Sequence, residues 1–332
     1  MNPIIIGAGM AGLIAACKFT QGLVIDAASE SNKERHRALL RFRNEEVSHL
    51  TGIPFKRVEV QKAVYSDESG LLTRDRCPLH LANRYSVKVS AGIASRSILD
   101  LSPSVRYVAP EDFYEQLLTK VGDRVTWDTP ATMDVIDRSV EPRPIISTMP
   151  MPAMLKLTGI GFENGTFGRR DSAAAIMVHR FNLKVNCDVY QTVYFTDFDT
   201  PVYRASLTGD VLIIERLVKF PEVAGFTQMN LEELDQFDLD TVCHALGLER
   251  DWLDMSTHEK AIQSHGKIVP LEKAEREAYM YELTTRHNVY SLGRFATWRN
   301  VLLDDLVDDL DVIEKLMRAA NYGANLYMAR RK

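Results

Sequence analysis

Among the residues of this chain, Gly7-Ala8-Gly9-Met10-Ala11-Gly12 and, about 20 residues beyond the first glycine, Asp26 have the types and spacing best suited to chemistry. In a G-x-G-x-x-G turn, Gly7 permits the sharp bend and Gly9 lets backbone N–H groups approach a pyrophosphate at a helix N-terminus. Gly12 lets that helix pack closely on the preceding strand. Asp26 is placed to accept hydrogen bonds from an adenosine ribose, which favours an unphosphorylated ribose and therefore FAD or NAD over NADP. A glycine turn alone is weak evidence, and the competing reading is the same fold with an empty site.

A turn of this kind works only in a particular frame, and the flanking sequence supplies it. A β-branched run, Ile4-Ile5-Ile6, precedes the glycines; a helical stretch follows to Phe19, breaks at Gln21-Gly22 and gives a second strand, Leu23-Val24-Ile25, ending at the acid. The rest of the composition fits a folded globule. Apolar residues make up 45% of the 332 residues, charged residues 26%, and Gly and Pro (18 and 13) are scarce, which excludes disorder, collagen and coiled coil. A net charge of -5 offers no general attraction for nucleic acid or anionic membrane, so such a partner needs a local basic patch. Cysteines 17, 77, 187 and 243 form no C-x-x-C pair or metal-finger spacing, and neither a basic leader nor an apolar run of about 20 residues is visible. A reduced, cytoplasmic protein is expected, with no metal site and no membrane partner; Cys17 reads as a packed core residue.

The segment Ile4 to Leu13 resembles the opening of the superfamily of FAD-dependent amine oxidases, protoporphyrinogen oxidases and UDP-galactopyranose mutases. Three later segments agree. Pro110 to Leu118 reads as a helix with proline in its first turn and acids near its positive end, stopped at Gly122 and followed by a strand Arg124 to Trp127. The resemblance lays Val125 against adenine. Ile145 to Pro150 is similar to the buried strand that returns the chain to the cofactor, which implies Thr148 and Met149 near it. Asn288 to Asn300 is similar to the closing strand, Gly-Arg turn and helix start of the galactopyranose mutases. Gly293 would allow close backbone approach and Arg294 would neutralise pyrophosphate, with Arg299 and Asn300 just beyond. The implied cofactor is FAD, and Met10, Ala11 and Ala27 complete its set beside the motif residues. Where the superfamily has a Gly-Gly turn and a phosphate-holding arginine, this chain has Ala27-Ala28-Ser29-Glu30; Arg41 and Arg43 are assigned in that arginine's place, against the plainer reading of solvated basic side chains.

The expected fold is α/β, a discontinuous Rossmann-type FAD-binding domain (1–75, 108–150 and 285–332) with an antiparallel-sheet substrate domain (76–107 and 151–284). Strand-like stretches at 173–184, 188–196, 201–208 and 210–218 suggest a meander roofing the flavin, and 229–264 reads as helical with a break near Gly247. Leu302, Leu306, Leu310, Ile313 and Met317 mark an amphipathic helix from about 300 to 320; Asp304, Asp305, Asp308 and Asp309 read as its solvated acidic face rather than a metal site.

Because a flavin performs the electron chemistry, few catalytic side chains are needed. Lys267, in the strand-like 264–270, matches by resemblance a lysine near flavin N5, against an exposed lysine beside a glycine bend. His265 has a pKa suited to a base, though a lone histidine is more often structural. Tyr203 and Arg204 alternate along their strand, so one of the two should face the chamber; Arg204 can hold a carboxylate or phosphate by its fork, while Glu215 on the next strand is its expected partner. Trp298 walls the site or fills the core.

The first expected function is an FAD-dependent oxidoreductase acting on a C–N bond of an amine or amino-acid group. The alternative is a UDP-galactopyranose-mutase-like flavoenzyme acting on a nucleotide sugar, and a third is a flavin-bound protein without turnover. The segments 36–43 and 51–56 also look like small bacteriophage FAD proteins, some of which hypermodify thymine in DNA; that likeness implies an amino-acid-bearing thymine as substrate, and the basic runs at 33–43 and 330–332 would form the patch for DNA.

Overall fold

The computed structural model describes residues 2–32, 40–73, 75–90, 92–93, 97–137, 143–160, 173–218, 231–268 and 271–329. In chain order the strands are β1 (Ile4–Ile6), β2 (Leu23–Ile25), β3 (Arg41–Phe42), β4 (Lys56–Ser66), β5 (Gly70–Leu72), β6 (Ser104–Val108), β7 (Val125–Thr126), β8 (Ile145–Ser147), β9 (Ala173–Leu183), β10 (Tyr190–Phe195), β11 (Val202–Thr208), β12 (Val211–Leu217), β13 (Leu253–Ile268) and β14 (Val289–Ser291). The helices are α1 (Met10–Lys18), α2 (Glu46–Thr51), α3 (Leu79–Ser90), α4 (Phe113–Val121), α5 (Met133–Ile136), α6 (Met151–Thr158), α7 (Leu231–Leu246), α8 (Lys273–His287) and α9 (Leu306–Ala329). None of the described helices is long and apolar enough to cross a membrane.

β14-β8-β1-β2-β7, in that order, make a parallel sheet. Its strands are apolar on both faces because both faces are covered. Ile5, Val24, Ile146 and Tyr290 point to a layer holding α1, α2, α4 and α9, where Leu13, Phe113, Leu117 and Leu310 are fully buried. Ile4, Ile6, Ile145 and Val289 point the other way, to Met151, Leu155, Leu283 and Trp298. This is the doubly wound arrangement expected of the glycine motif.

The larger sheet runs β13-β9-β12-β11-β10-β4-β6-β3, with β5 beside β4. β10, β11 and β12 form the anticipated meander, but β9 lies beside β12 and not β10, giving a Greek-key order. β4 joins β10 in parallel, so β3, β4 and β5, which the sequence places with the cofactor domain, belong to this sheet. Their alternation is the reason: Val58 and Val60 are buried while Arg57 and Glu59 are exposed, a period-two pattern made for a sheet covered on one face. Helix α6, expected beyond the cofactor domain, packs instead on the parallel sheet.

A second correction concerns 229–264. α7 ends at Leu246, and Leu253 to Ile268 is an edge strand paired with β9. Helical propensity over that stretch is overridden by pairing, and charges such as Glu259 and Lys260 blunt the free edge. α7 is fastened across the sheet by buried Arg216, whose guanidinium meets Asp235 at 3.2 Å and Asp238 at 2.9 Å, while Lys260 reaches Asp235 at 2.5 Å. His179 joins Asp235 and Asp238 with ligand atoms within 4.8 Å of one another, but two cations already neutralise those carboxylates.

Candidate functional site

The glycine turn forms as its residue types require. Gly7 has φ +100°, and a Cβ there would overlap the Thr148 hydroxyl; a Cβ at Gly12 would overlap the carbonyl oxygen of Gly7. Around Gly9 nothing lies within 4 Å of the corresponding position, so the mouth of the turn is open. Gly9 caps α1 without any side-chain hydrogen bond and no acid stands in the first turn, so the free N–H groups and positive dipole end have no anion of their own. At the other end of α1, Arg124 donates to the carbonyls of Ala16, Phe19 and Gly22, closing the helix with the charge its dipole favours.

Asp26 is 7% exposed, and its carboxylate accepts from the Ala8 N–H at 2.6 Å and the Ala28 N–H at 2.9 Å. It therefore braces the turn. Tyr114, which sequence reasoning passed over, donates its hydroxyl to the Ala8 carbonyl at 3.0 Å, and burial pushes its pKa up to about 12. Its only sequence signal was an aromatic on the helix before β7. Met10 packs in the core, Ala11 faces Gly293, and Ala27 is exposed. Val125 pairs with Val24. Thr148 donates to the Ile6 carbonyl at 2.8 Å, holding β8 beside the turn, and Met149 packs on the opposite side of the sheet.

Several assigned side chains are engaged elsewhere. Arg41 reaches into the large sheet, donating to Thr192 at 2.9 Å, to Thr208 and to the carbonyls of Gln191 and Leu207; burial pushes it down to about 9. Arg43 binds Asp304 at 2.9 Å and also Asp305, and Arg299 binds Asp309. Asp304 is buried, so the acids before and within α9 are partly ion-paired, not simply a solvated face. Trp298 is 1% exposed at φ +45°, a core wedge held in a strained backbone conformation. Asn300 is exposed. The backbone of residues 265 and 267 lies in β13, but the side chains of His265 and Lys267 fall outside the described residues, as do Lys33, Arg35, His36, Arg37 and Arg330 to Lys332.

Tyr203 and Arg204 do not take opposite sides. A register shift in β11 between Val202 and Arg204 lets the Tyr203 hydroxyl donate to Glu215 at 3.1 Å while one edge of the Arg204 guanidinium, Nε and Nη2, also binds both oxygens of that carboxylate, Nη2 at 2.8 Å. Glu215 raises Arg204 well above its ordinary range, and burial does the same to Tyr203. The Arg204 side chain is 38% exposed. Arg294 comes from the turn after β14. Arg294 donates to the Gly266 carbonyl of β13 at 3.1 Å, its Nε is buried with no hydrogen-bond partner among the described residues, and burial together with the Arg204 cation lowers its pKa.

An open glycine turn braced by Asp26 fits a dinucleotide at the start of α1. No protein-family model matches the chain, and no curated protein matches its sequence. Solved structures do. Reduced UDP-galactopyranose mutase aligns over 96% of this chain and 96% of its own, at 14% identity and TM-score 0.66. Putrescine oxidase bound to putrescine aligns over 97% and 99%, at 10% identity and TM-score 0.59. A fatty acid isomerase from P. acnes that produces CLA aligns over 95% and 98%, at 11% identity and TM-score 0.57. The chain thus has the fold of the FAD-binding flavoproteins to which UDP-galactopyranose mutase and putrescine oxidase belong.

Proposed function

We propose that this protein binds FAD and is an oxidoreductase that oxidises a C–N bond of an amine or amino-acid group. The observation that carries the reading is the pairing of an anion-ready helix end at Gly9 with a polar wall, Tyr203, Arg204 and Glu215, on the sheet that faces the Gly293 turn. Bound FAD supplies the hydride acceptor. The chain's own work is to hold it and present the substrate. Gly7, Gly9 and Gly12 bring backbone N–H groups to the phosphates, Asp26 accepts from the ribose, and Thr148 keeps β8 against the turn. The Arg204–Glu215 pair fixes one charged surface of the chamber, and its bidentate geometry allows little reorientation.

The first test is the visible spectrum of the purified protein, expected to be yellow with flavin maxima. Anaerobic mixing with a panel of amines and amino acids should then bleach that absorbance; a yellow protein that none of them reduces removes the amine reading.

A second reading, a mutase acting on a nucleotide sugar, is favoured by the arginine at the Gly293-Arg294 turn, which reaches the Gly266 carbonyl of β13. It requires turnover of UDP-sugars by the reduced protein without net oxidation. The narrower form of the first reading, an amino-acid-bearing thymine in DNA, rests on the phage-like segments 36–43 and 51–56. It expects an oligonucleotide carrying such a base to reduce the flavin and to bind more weakly as salt rises.

A further inference from the structure

We infer that Tyr114 is a positioning residue of the cofactor site: its hydroxyl holds the peptide that joins Ala8 to Gly9, and with it the Gly9 N–H, in the orientation that admits a pyrophosphate. The inference rests on the FAD reading and adds to the site a residue from outside the glycine motif. Two peptides span the centre of the turn, and each is gripped by a side chain. The Ala8 N–H, on the peptide from Gly7, donates to Asp26 at 2.6 Å. The Ala8 carbonyl, on the peptide to Gly9, accepts from the Tyr114 hydroxyl at 3.0 Å. Helix α1 makes no use of that carbonyl, because its first bond runs from the Leu13 N–H to the Gly9 carbonyl, and no backbone N–H of the described residues donates to it. Ala8 is fully buried and Tyr114, on α4, is 7% exposed, so the bond lies in the core between the two helices.

A trans peptide carries its C=O and N–H in opposite directions. With the Ala8 carbonyl drawn to Tyr114, the Gly9 N–H is turned away from α4, and it meets no acceptor among the described residues. Glycine makes this orientation easy to lose. Turning the peptide over would take Gly9 from φ −77° to about +100°, a conformation that glycine reaches at little cost. The inverted peptide would present a carbonyl oxygen, the negative end of its dipole, where the helix start otherwise offers a donor to phosphate. The freedom that lets the backbone approach a phosphate therefore needs a restraint. Asp26 holds the preceding peptide, and the Tyr114 hydroxyl holds this one.

The test compares the full chain with Tyr114→Phe, which removes one oxygen and keeps the ring in the core. Protein loaded with FAD is equilibrated at falling concentration, and the flavin released is measured after ultrafiltration. ADP and adenosine then compete with FAD, which gives a dissociation constant for each. Tyr114→Phe should weaken FAD and ADP alike by about fivefold or more, and leave adenosine, which has no phosphate, within about twofold of wild type. An FAD dissociation constant equal to that of wild type would overturn the inference. Equal losses for ADP and adenosine would overturn it too, because a hydroxyl that merely stiffens the domain serves both ligands. A variant recovered only unfolded would assign the hydroxyl to the fold and have the same consequence. A wild-type protein that stays colourless when supplied with FAD instead defeats the underlying reading, a distinct outcome.

Discussion

The glycine turn was legible residue by residue because its requirements are local. Gly12→Ala pushes a methyl group into the Gly7 carbonyl, backbone that cannot swing aside. The expected result is a folded protein with at least tenfold lower FAD content, measured at 450 nm against protein concentration. Contacts made across the chain were not legible. Nothing near Arg43 announces that Asp304 will take its side chain, and no spacing rule reveals the shift in β11 that brings Tyr203 and Arg204 to one carboxylate. Glu215→Gln tests that carboxylate. It leaves Arg204 without its counter-ion, and because Arg204 is partly open to solvent the destabilisation should be about 2 kcal/mol, below that of a fully buried pair. Urea unfolding at constant m-value measures it; a midpoint unchanged from wild type would show the pair to be dispensable.

Elements were read well where a pattern was strong and unopposed. β9 to β12 and the long helix α9 follow their periodicities, whereas β13 up to Ser264 reads as helix and only its last residues as strand, because its pairing with β9, over 70 residues away in places, lies outside any local window. α3 shows how an element is fixed by one charge. Lys88 lies 5% exposed on it, and its ammonium donates to the carbonyls of Asp197 and Val202 at 2.6 Å and Phe195 at 3.2 Å, tying the helix to the ends of β10 and β11. Burial pushes Lys88 down to about 7. Between pH 7 and the ordinary lysine pKa near 10.4, the unfolded chain carries a proton there that the folded chain lacks, so this group makes stability rise with pH across that window. Lys88→Met should remove that contribution to the slope and cost about 2 kcal/mol at pH 7 through three carbonyls left without their donor. Thermal unfolding of both proteins from pH 7 to 10 measures the difference; parallel curves would contradict it.

At the scale of the molecule, composition and the opening motif were enough for the class of fold, but not for the border between its two sheets, which β3 to β5 cross. FAD stabilises only the folded form, so a supply at about 100 times its dissociation constant should add about 2.7 kcal/mol and raise Tm by several degrees; no shift would mean no site. The parallel sheet draws its strands from residues 4 to 291, with the last of them, β14, at its edge and leading directly into the Gly293 turn. During translation the glycine motif is made long before β14 and the Gly293 turn that close beside it. Capture of the prosthetic group is thereby postponed until the ribosome has passed residue 293, and a yellow colour becomes a certificate that synthesis ran beyond that turn.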